Sequence, residues 1–276
     1  MSVDRGSGAA SGADPVVAGL CVDLRAEADD LRALLEPLPE QDWMRPTPAP
    51  GWTIHDQVAH LAHFDGVTRL ALAEPEGFLA ERDAVTDLQS YVDGIGPANA
   101  RRTSAQMLQW WREEQDGLIA AALAAPHGER VPWFGPAMSL PSKLTARIME
   151  TWAHGQDVAD ALGVIRTPTD RLRHIARIGV LATPNSFRTH GHDPPSAPIR
   201  VALTPPAEGP DWEWGDPIAA DVVSGTALDF CLVVTQRRHV DDTSLHVHGP
   251  AALAWIAIAQ AFAGPAGRGR APGQFG

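Results

Sequence analysis

Apolar residues recur through the first 165 positions at three- and four-residue intervals, the period of amphipathic helices, and predict four long helical segments. The first covers Val16 to Leu35, where Val17, Leu20, Leu24, Leu31 and Leu34 trace one stripe. Pro37 and Pro39 end it, and the proline-rich run Pro46 to Pro50 keeps the connection non-helical. Thr53 is a candidate N-cap for a second helix continuing to Ala73. A connection rich in Asp, Glu and Gly follows, Glu74 to Pro97, with a short helical piece around Ala80 to Tyr91. The third helix spans Arg101 to Ala124. The fourth opens at Ser139 or Ser142 and ends near Gly163, a C-cap glycine.

The texture changes after Pro168. A helix from Thr169 to Ala182 precedes a loop rich in Pro, Gly and His, Thr183 to Pro198. Short alternating runs predict strands at Ile199–Leu203, Asp211–Trp214, Ala219–Val223 and Ser244–His248. Thr226 to Thr235 fits a helix or a buried strand, and Gly225–Thr226 at its start favours the helix; a further helix covers Pro250 to Ala263. The expected fold class is therefore α + (α+β): a disordered tail over residues 1–14, a helical bundle over 15–167, a smaller α+β domain over 168–264 and a flexible tail over 265–276.

Composition narrows the partners. With 44% hydrophobic and 20% charged residues the chain has ample material for cores, and its net charge of −12 argues against a phosphate backbone as partner. No apolar stretch approaches the roughly 20 residues of a membrane span, and the first fourteen residues lack the basic start and apolar run of a secretory signal. Cys21 and Cys231 lie far apart in apolar stretches, as buried free thiols would. Together these features predict a cytoplasmic protein acting on a small molecule, with neither nucleic acid nor membrane as partner. Lys143 is the only lysine among 22 basic residues, a bias that fits GC-rich codon usage.

The candidate chemistry lies on two helices. Glu150 and His154, four positions apart, share one face of the fourth helix. His60, on the second, shares a face with Phe64, Val67 and Ala71 and so points inward. Three N/O ligands from two facing helices can hold zinc and leave one position open for water or substrate. Spacing alone equally allows a solvated Glu–His pair and a satisfied core histidine. Asp157 is placed to orient an imidazole or to serve as a helix-stabilising carboxylate. Arg147 is placed to bind a substrate anion or to neutralise the helix. His63, the pair His190/His192 and the pair His246/His248 read as ordinary polar positions, and Trp52 and Trp152 as packing around the proposed ligands.

The segments GWTIHDQVAHLAHFD (Gly51 to Asp65) and RIMETWAHGQDVADALG (Arg147 to Gly163) resemble the two signatures of the mycothiol-dependent maleylpyruvate isomerase-type family, within the DinB-like superfamily of metal-binding four-helix bundles. Ile199 to Gly215, Ser224 to Arg238 and His246 to Gly264 resemble that family's C-terminal domain, in the order of an actinobacterial subgroup described as metal-binding. The resemblance implies an N-terminal DinB-like four-helix bundle followed by a smaller α+β domain. It implies zinc, or another divalent metal, on His60, Glu150 and His154, with mycothiol as the activated thiol. In the family that thiol adds to an activated alkene, the bond rotates, and elimination completes an isomerisation; relatives transfer the thiol to electrophiles. Arg237 matches a family arginine implicated in activity, although Gln236 stands where the pattern has glycine. A structural, ion-paired Arg237 is the alternative. The expected function is metal-dependent activation of a small thiol for isomerisation of, or transfer to, an electrophilic small molecule. Two alternatives stay open: a thiol-independent lyase, cyclase or hydrolase of secondary metabolism, and a non-enzymatic metal- or ligand-binding protein.

Overall fold

The computed structural model of the chain describes residues 14–275. Most of the tail expected over residues 1–14 lies outside that range; Asp14 lies within it and caps the first helix, its carboxylate accepting from the Val16 amide at 2.8 Å. That helix, α1 (Pro15–Leu35), begins with a proline at its first position, where the missing N–H costs nothing. Helix α2 (Ile54–Ala73) starts at a reciprocal capping box between Thr53 and Asp56. Three short helices, α3 (Pro75–Ala84), α4 (Leu88–Asp93) and α5 (Ile95–Asn99), fill the connection where one helical piece was expected. Helix α6 (Ser104–Ala124) opens on a second capping box, Thr103 with Gln106. A two-residue hairpin, β1 (Arg130–Val131) and β2 (Met138–Ser139), carries Trp133 and Phe134 in its loop. Helix α7 (Leu140–Leu162) runs from the Ser139 cap to Gly163, whose φ of 67° is the left-handed conformation that closes a helix C-terminus.

Helix α2 packs on α6 and α7, and α1 packs on α7 and α6. Their facing stripes form one core in which Leu24, Leu31, Leu61, Trp111, Leu144 and Ile148 are fully buried. Each such leucine or isoleucine contributes about 1.5–3 kcal/mol relative to an exposed one. A second core lies between α8 (Leu172–Leu181), α9 (Thr183–Thr189) and a four-stranded sheet with its own helices. The sheet order is β4 (Trp212–Trp214), β3 (Ile199–Thr204), β5 (Asp221–Thr226), β6 (His246–His248). Strands β3 and β5 run parallel, and the outer strands are antiparallel to them. Val201 and Leu203, two apart, both point inward, as the period of a strand requires. Helices α10 (Ala227–Val234) and α11 (Pro250–Ile256) complete this half. The chain is thus mostly helical with a small sheet region.

Helix α7 serves both cores: Leu144 and Ile148 enter the first, Met149, Trp152 and Ala153 the second. Glu27, 1% exposed on α1, accepts from Arg166 and Arg171 at 2.5 and 2.8 Å and ties α1 to the segment leading into α8.

The stretch Thr226–Thr235, for which a helix was favoured, holds α10, with the Thr226 hydroxyl accepting from the Asp229 amide at 3.0 Å. Two expectations change. The loop expected after Ala182 opens with α9, because Pro184 sits in a first helical turn, where it is tolerated. The helix expected to reach Ala263 stops at Ile256: the Gln260 amide goes to Ser186 Oγ at 3.0 Å and the Ala261 amide to the Val234 carbonyl at 2.8 Å, so tertiary bonds replace helical ones. The segment after Gly264, expected as a flexible tail, runs back over α7. There Arg270 donates to Asp157 at 2.8 Å, and the Gly267 amide donates to Gln260 at 2.9 Å. Among the described residues no helix is long and apolar enough to cross a membrane.

Candidate metal centre

Helices α2 and α7 bring His60, Glu150 and His154 to one point. One ligand atom from each lies within 4.8 Å of the others. Glu150 Oε2 stands 3.2 Å from His154 Nε2 and 3.7 Å from His60 Nε2. Two donors bound about 2.1 Å from a tetrahedral ion are separated by about 3.4 Å, so the spacing suits a zinc-sized cation between them.

The hydrogen bonds around His154 fix the orientation of its ring. The Thr47 hydroxyl donates to the Trp52 carbonyl at 2.9 Å, and the Gln57 side-chain amide donates to Thr47 Oγ1 at 2.8 Å. This fixes the fully buried Gln57 with its carbonyl oxygen on His154 Nδ1, which must donate. Nε2 is then the nitrogen that faces the carboxylate, and in the neutral ring its lone pair is free for a metal ion. His60 has a buried Nδ1 with no partner. Burial first, then the neighbouring His154, push the His60 imidazole down to about 3. Burial opposes ionisation of Glu150, but the imidazoles of His154 and His60 beside it overcome that and hold the carboxyl well below its usual range. Neutral imidazole and ionised carboxylate are the forms that bind a metal.

Aromatic rings enclose the cluster. Trp52 stacks on His154 at 5.7 Å with 15° between planes, and Phe64 lies 4.7 Å from His60. Beyond Phe64 come Trp133, Phe134 and Tyr91, at 6.1–6.4 Å between centroids. His63 is not part of the cluster: its Nε2 pairs with the Tyr91 hydroxyl at 2.6 Å. Trp152, expected beside the ligands, packs into the second core.

Of the other expected residues, Asp157 does not orient an imidazole. It is fully buried, with its two oxygens taken by Arg237 and Arg270 at 2.8 Å each. Arg237 is brought to α7 by this pair and also donates to the Thr235 carbonyl at 2.6 Å. The preceding Gln236 has φ of 59°, the only positive value at a non-glycine among the described residues, and a glycine would adopt it freely. That conformation accounts for the glycine in the resembling pattern. Arg147 is engaged within the chain: buried at 3%, it donates to Asp65 at 2.9 Å and to the Leu61 carbonyl at 3.3 Å. The pairs His190/His192 and His246/His248 follow α9 and occupy β6, with His192, His246 and His248 exposed.

The sequence reading missed Gln57 and Lys143. Gln57 precedes His60 by three residues on α2, so helical spacing alone places both on one face. Lys143 precedes Arg147, Glu150 and His154 on one face of α7 at spacings of four, three and four. It is 2% exposed, with Nζ 3.1 Å from the centroid of the Trp133 ring.

Comparison with known proteins follows the same line. Residues 24–159 match the family model described as the mycothiol maleylpyruvate isomerase N-terminal domain. Two proteins of Mycobacterium tuberculosis, from strains CDC 1551 / Oshkosh and ATCC 25618 / H37Rv and both named as uncharacterized, are 47% identical over 249 residues, 90% of this chain and 96% of theirs. Crystal structures of the mycothiol-dependent maleylpyruvate isomerase and of a histidine-to-alanine mutant of it share the fold, with TM-scores of 0.54 and 0.55. They are 15% and 13% identical and cover 80% of this chain and 89% of those chains.

Proposed function

The chain belongs to the mycothiol-dependent maleylpyruvate isomerase-type family, and from that membership and its convergent side chains we propose that it is a cytoplasmic, metal-dependent enzyme activating a low-molecular-weight thiol such as mycothiol. The thiol serves the isomerisation of, or transfer to, an electrophilic small molecule. His60, Glu150 and His154 hold one divalent ion, zinc in preference to harder cations because two of three donors are imidazoles. Helices α1, α2, α6 and α7 act as the DinB-like four-helix bundle that carries them.

The single observation behind this reading is the convergence of one ligand atom each from His60, Glu150 and His154 within 4.8 Å, with His154 Nδ1 committed to Gln57 and its Nε2 facing Glu150. When bound, the ion stabilises thiolate over thiol and supplies a nucleophile at neutral pH. The chain's own residues do the rest. Gln57 keeps His154 in the tautomer that presents Nε2, and Thr47 holds Gln57 in turn. Glu150 offsets half the charge of a divalent ion. Trp52 and Phe64 flank the imidazoles and exclude water, which strengthens every charge interaction between them. Arg237, anchored on Asp157 one turn beyond His154, is placed to meet an anionic portion of the substrate or thiol.

Metal analysis of the wild type and of His154→Ala tests the centre: about one equivalent of zinc is expected in the first and almost none in the second. Mycothiol is then titrated into cobalt-substituted protein, followed by calorimetry and by thiolate-to-metal absorbance. Heat together with a new absorbance band supports the thiol reading. Neither signal removes it and leaves the thiol-independent chemistry.

A further inference from the structure

The three candidate ligands come from two helices that are not each other's main neighbours: α2 makes its broadest contact with α6, and α7 with α1. Glu150 and His154 share α7, so helical spacing alone sets their separation, whereas His60 must be delivered to them across the seam between α2 and α7. The two imidazoles are also held differently. His154 is oriented through Nδ1 by Gln57, but Nδ1 of His60 is buried with no hydrogen-bond partner. The place of the His60 ring therefore follows from the rings packed on it and from how α2 sits on α7. A slip of one residue between the helices shifts a side chain by about 1.5 Å along the axis and turns it by about 100°, enough to break the 3.7 Å approach of His60 Nε2 to Glu150 Oε2.

Arg147, one turn before Glu150, crosses that seam and grips α2 at two points one turn apart. Its Nε donates to Asp65 Oδ1 at 2.9 Å, and a terminal nitrogen donates at 3.3 Å to the carbonyl of Leu61, the residue after His60. Among the described residues, no other side chain of α7 outside the candidate ligands hydrogen-bonds to α2. The indole N–H of Trp111, from α6, donates to the second Asp65 oxygen at 3.0 Å, so one carboxylate joins α2, α6 and α7. Asp65 is 0% exposed. Burial pushes its carboxyl up, and Arg147 and Trp111 draw it back without cancelling the rise. A pair carried at that cost adds little to stability, since apolar side chains of similar volume would serve as well; what directional bonds add is one register.

Resting on the reading of the metal centre given above, we infer that Arg147 is a positioning residue: its two-point grip on α2, anchored by Asp65, sets the register that delivers His60 to Glu150 and His154. The metal affinity of this chain then depends on a side chain that does not touch the ion.

Two variants test it. Asp65→Asn combined with Arg147→Met removes both charges together, keeps an acceptor for Trp111 and changes little volume, so no buried charge is left alone. Arg147→Lys keeps the charge opposite Asp65 but replaces the fork that reaches two acceptors by a single ammonium. Zinc affinity is read by competition with a chromophoric chelator, the geometry of the centre by the visible absorption of cobalt-substituted protein, and stability by urea unfolding of the metal-free protein. The double variant should bind zinc more weakly by about tenfold or more and show an altered cobalt band, with an unfolding midpoint close to that of the wild type. Arg147→Lys should show the altered band with a smaller loss of affinity, and it decides the matter if the double variant does not fold. A merely structural pair would lower the midpoint and leave the cobalt band in place; that result, or wild-type affinity in both variants, overturns the inference. A wild type that binds neither zinc nor cobalt refutes the reading of the centre itself, whereas a wild type that binds both while the variants match it refutes the register role alone.

Discussion

Replacing Lys143 by methionine should stabilise the protein, by an amount set by pH. The side chains have similar length, so the change removes a titratable amine from beside Trp133 with little change of volume. In the folded chain burial holds the amine near 6, whereas in the unfolded chain it titrates near 10.4. Between those values the unfolded state binds about one more proton than the folded state, so the wild type loses stability as pH falls, by about 1.4 kcal/mol per unit. The ring face of Trp133 favours the cation by at most ~2 kcal/mol, which raises the folded value by about 1.5 units and keeps it below pH 8. Lys143→Met should therefore be more stable than the wild type by roughly 3 kcal/mol at pH 8 and by roughly 1 kcal/mol at pH 9.5, the two converging above the unfolded pKa. Urea unfolding followed by tryptophan fluorescence, at a fixed zinc concentration, measures the difference at both values. Equal m-values are required for the comparison. The metal ligands are the same in both proteins, so their own titration cancels. A difference that does not change between pH 8 and 9.5, or a variant less stable at pH 8, would refute the claim that Lys143 is buried without a partner.

Two further outcomes follow from the hydrogen bonds. Gln57→Leu should weaken zinc binding by about 10- to 100-fold, measured by competition with a chromophoric chelator, while the far-ultraviolet circular dichroism is unchanged; full affinity would mean that Gln57 does not set the His154 tautomer. Arg270→Ala leaves the buried Asp157 with Arg237 alone and should cost about 1.5–3 kcal/mol in urea unfolding. An unchanged midpoint would mean that the C-terminal segment does not dock on α7 in solution.

Much of the helical half was legible in the sequence because its signals are local. Thr53, Thr103 and Ser139 cap the helices they precede, and Gly163 ends the one it follows. Inward-facing positions on two helices made the juxtaposition of His60 with Glu150 and His154 one reading among others, and the resemblance of the two segments to the family's signatures selected it. What stayed hidden depends on contacts distant in sequence. Asp157 was three residues from an imidazole and seemed available to it, yet its partners come 80 and 113 residues later. Helix α11 ends early for the same kind of reason, since its expected last turn gives its amides to Ser186 and Val234. Gln236 shows the converse: the departure from glycine was visible, and the left-handed backbone that explains it was not.

Lys143, Arg147, Glu150, His154 and Asp157 stand at alternating spacings of four and three along α7. That is the pattern by which a helix in a bundle normally presents leucines to its neighbours. Five ionisable groups on an inward stripe do not stabilise a fold, since apolar side chains of similar volume would serve as well or better. Each charge must be answered by something. Arg147 is answered by Asp65 from α2, and Asp157 by Arg237 and Arg270 from the C-terminal half. Glu150 and His154 face each other at 3.2 Å, with His60 beside them, as an ion pair or as the ligands of a metal ion. Lys143 alone pairs with no anion among the described residues. By this accounting of charge along one helix, the Glu150–His154 pair is the position that a bound metal ion would answer, while Lys143, whose amine burial pushes down to about 6, is answered by giving up its proton.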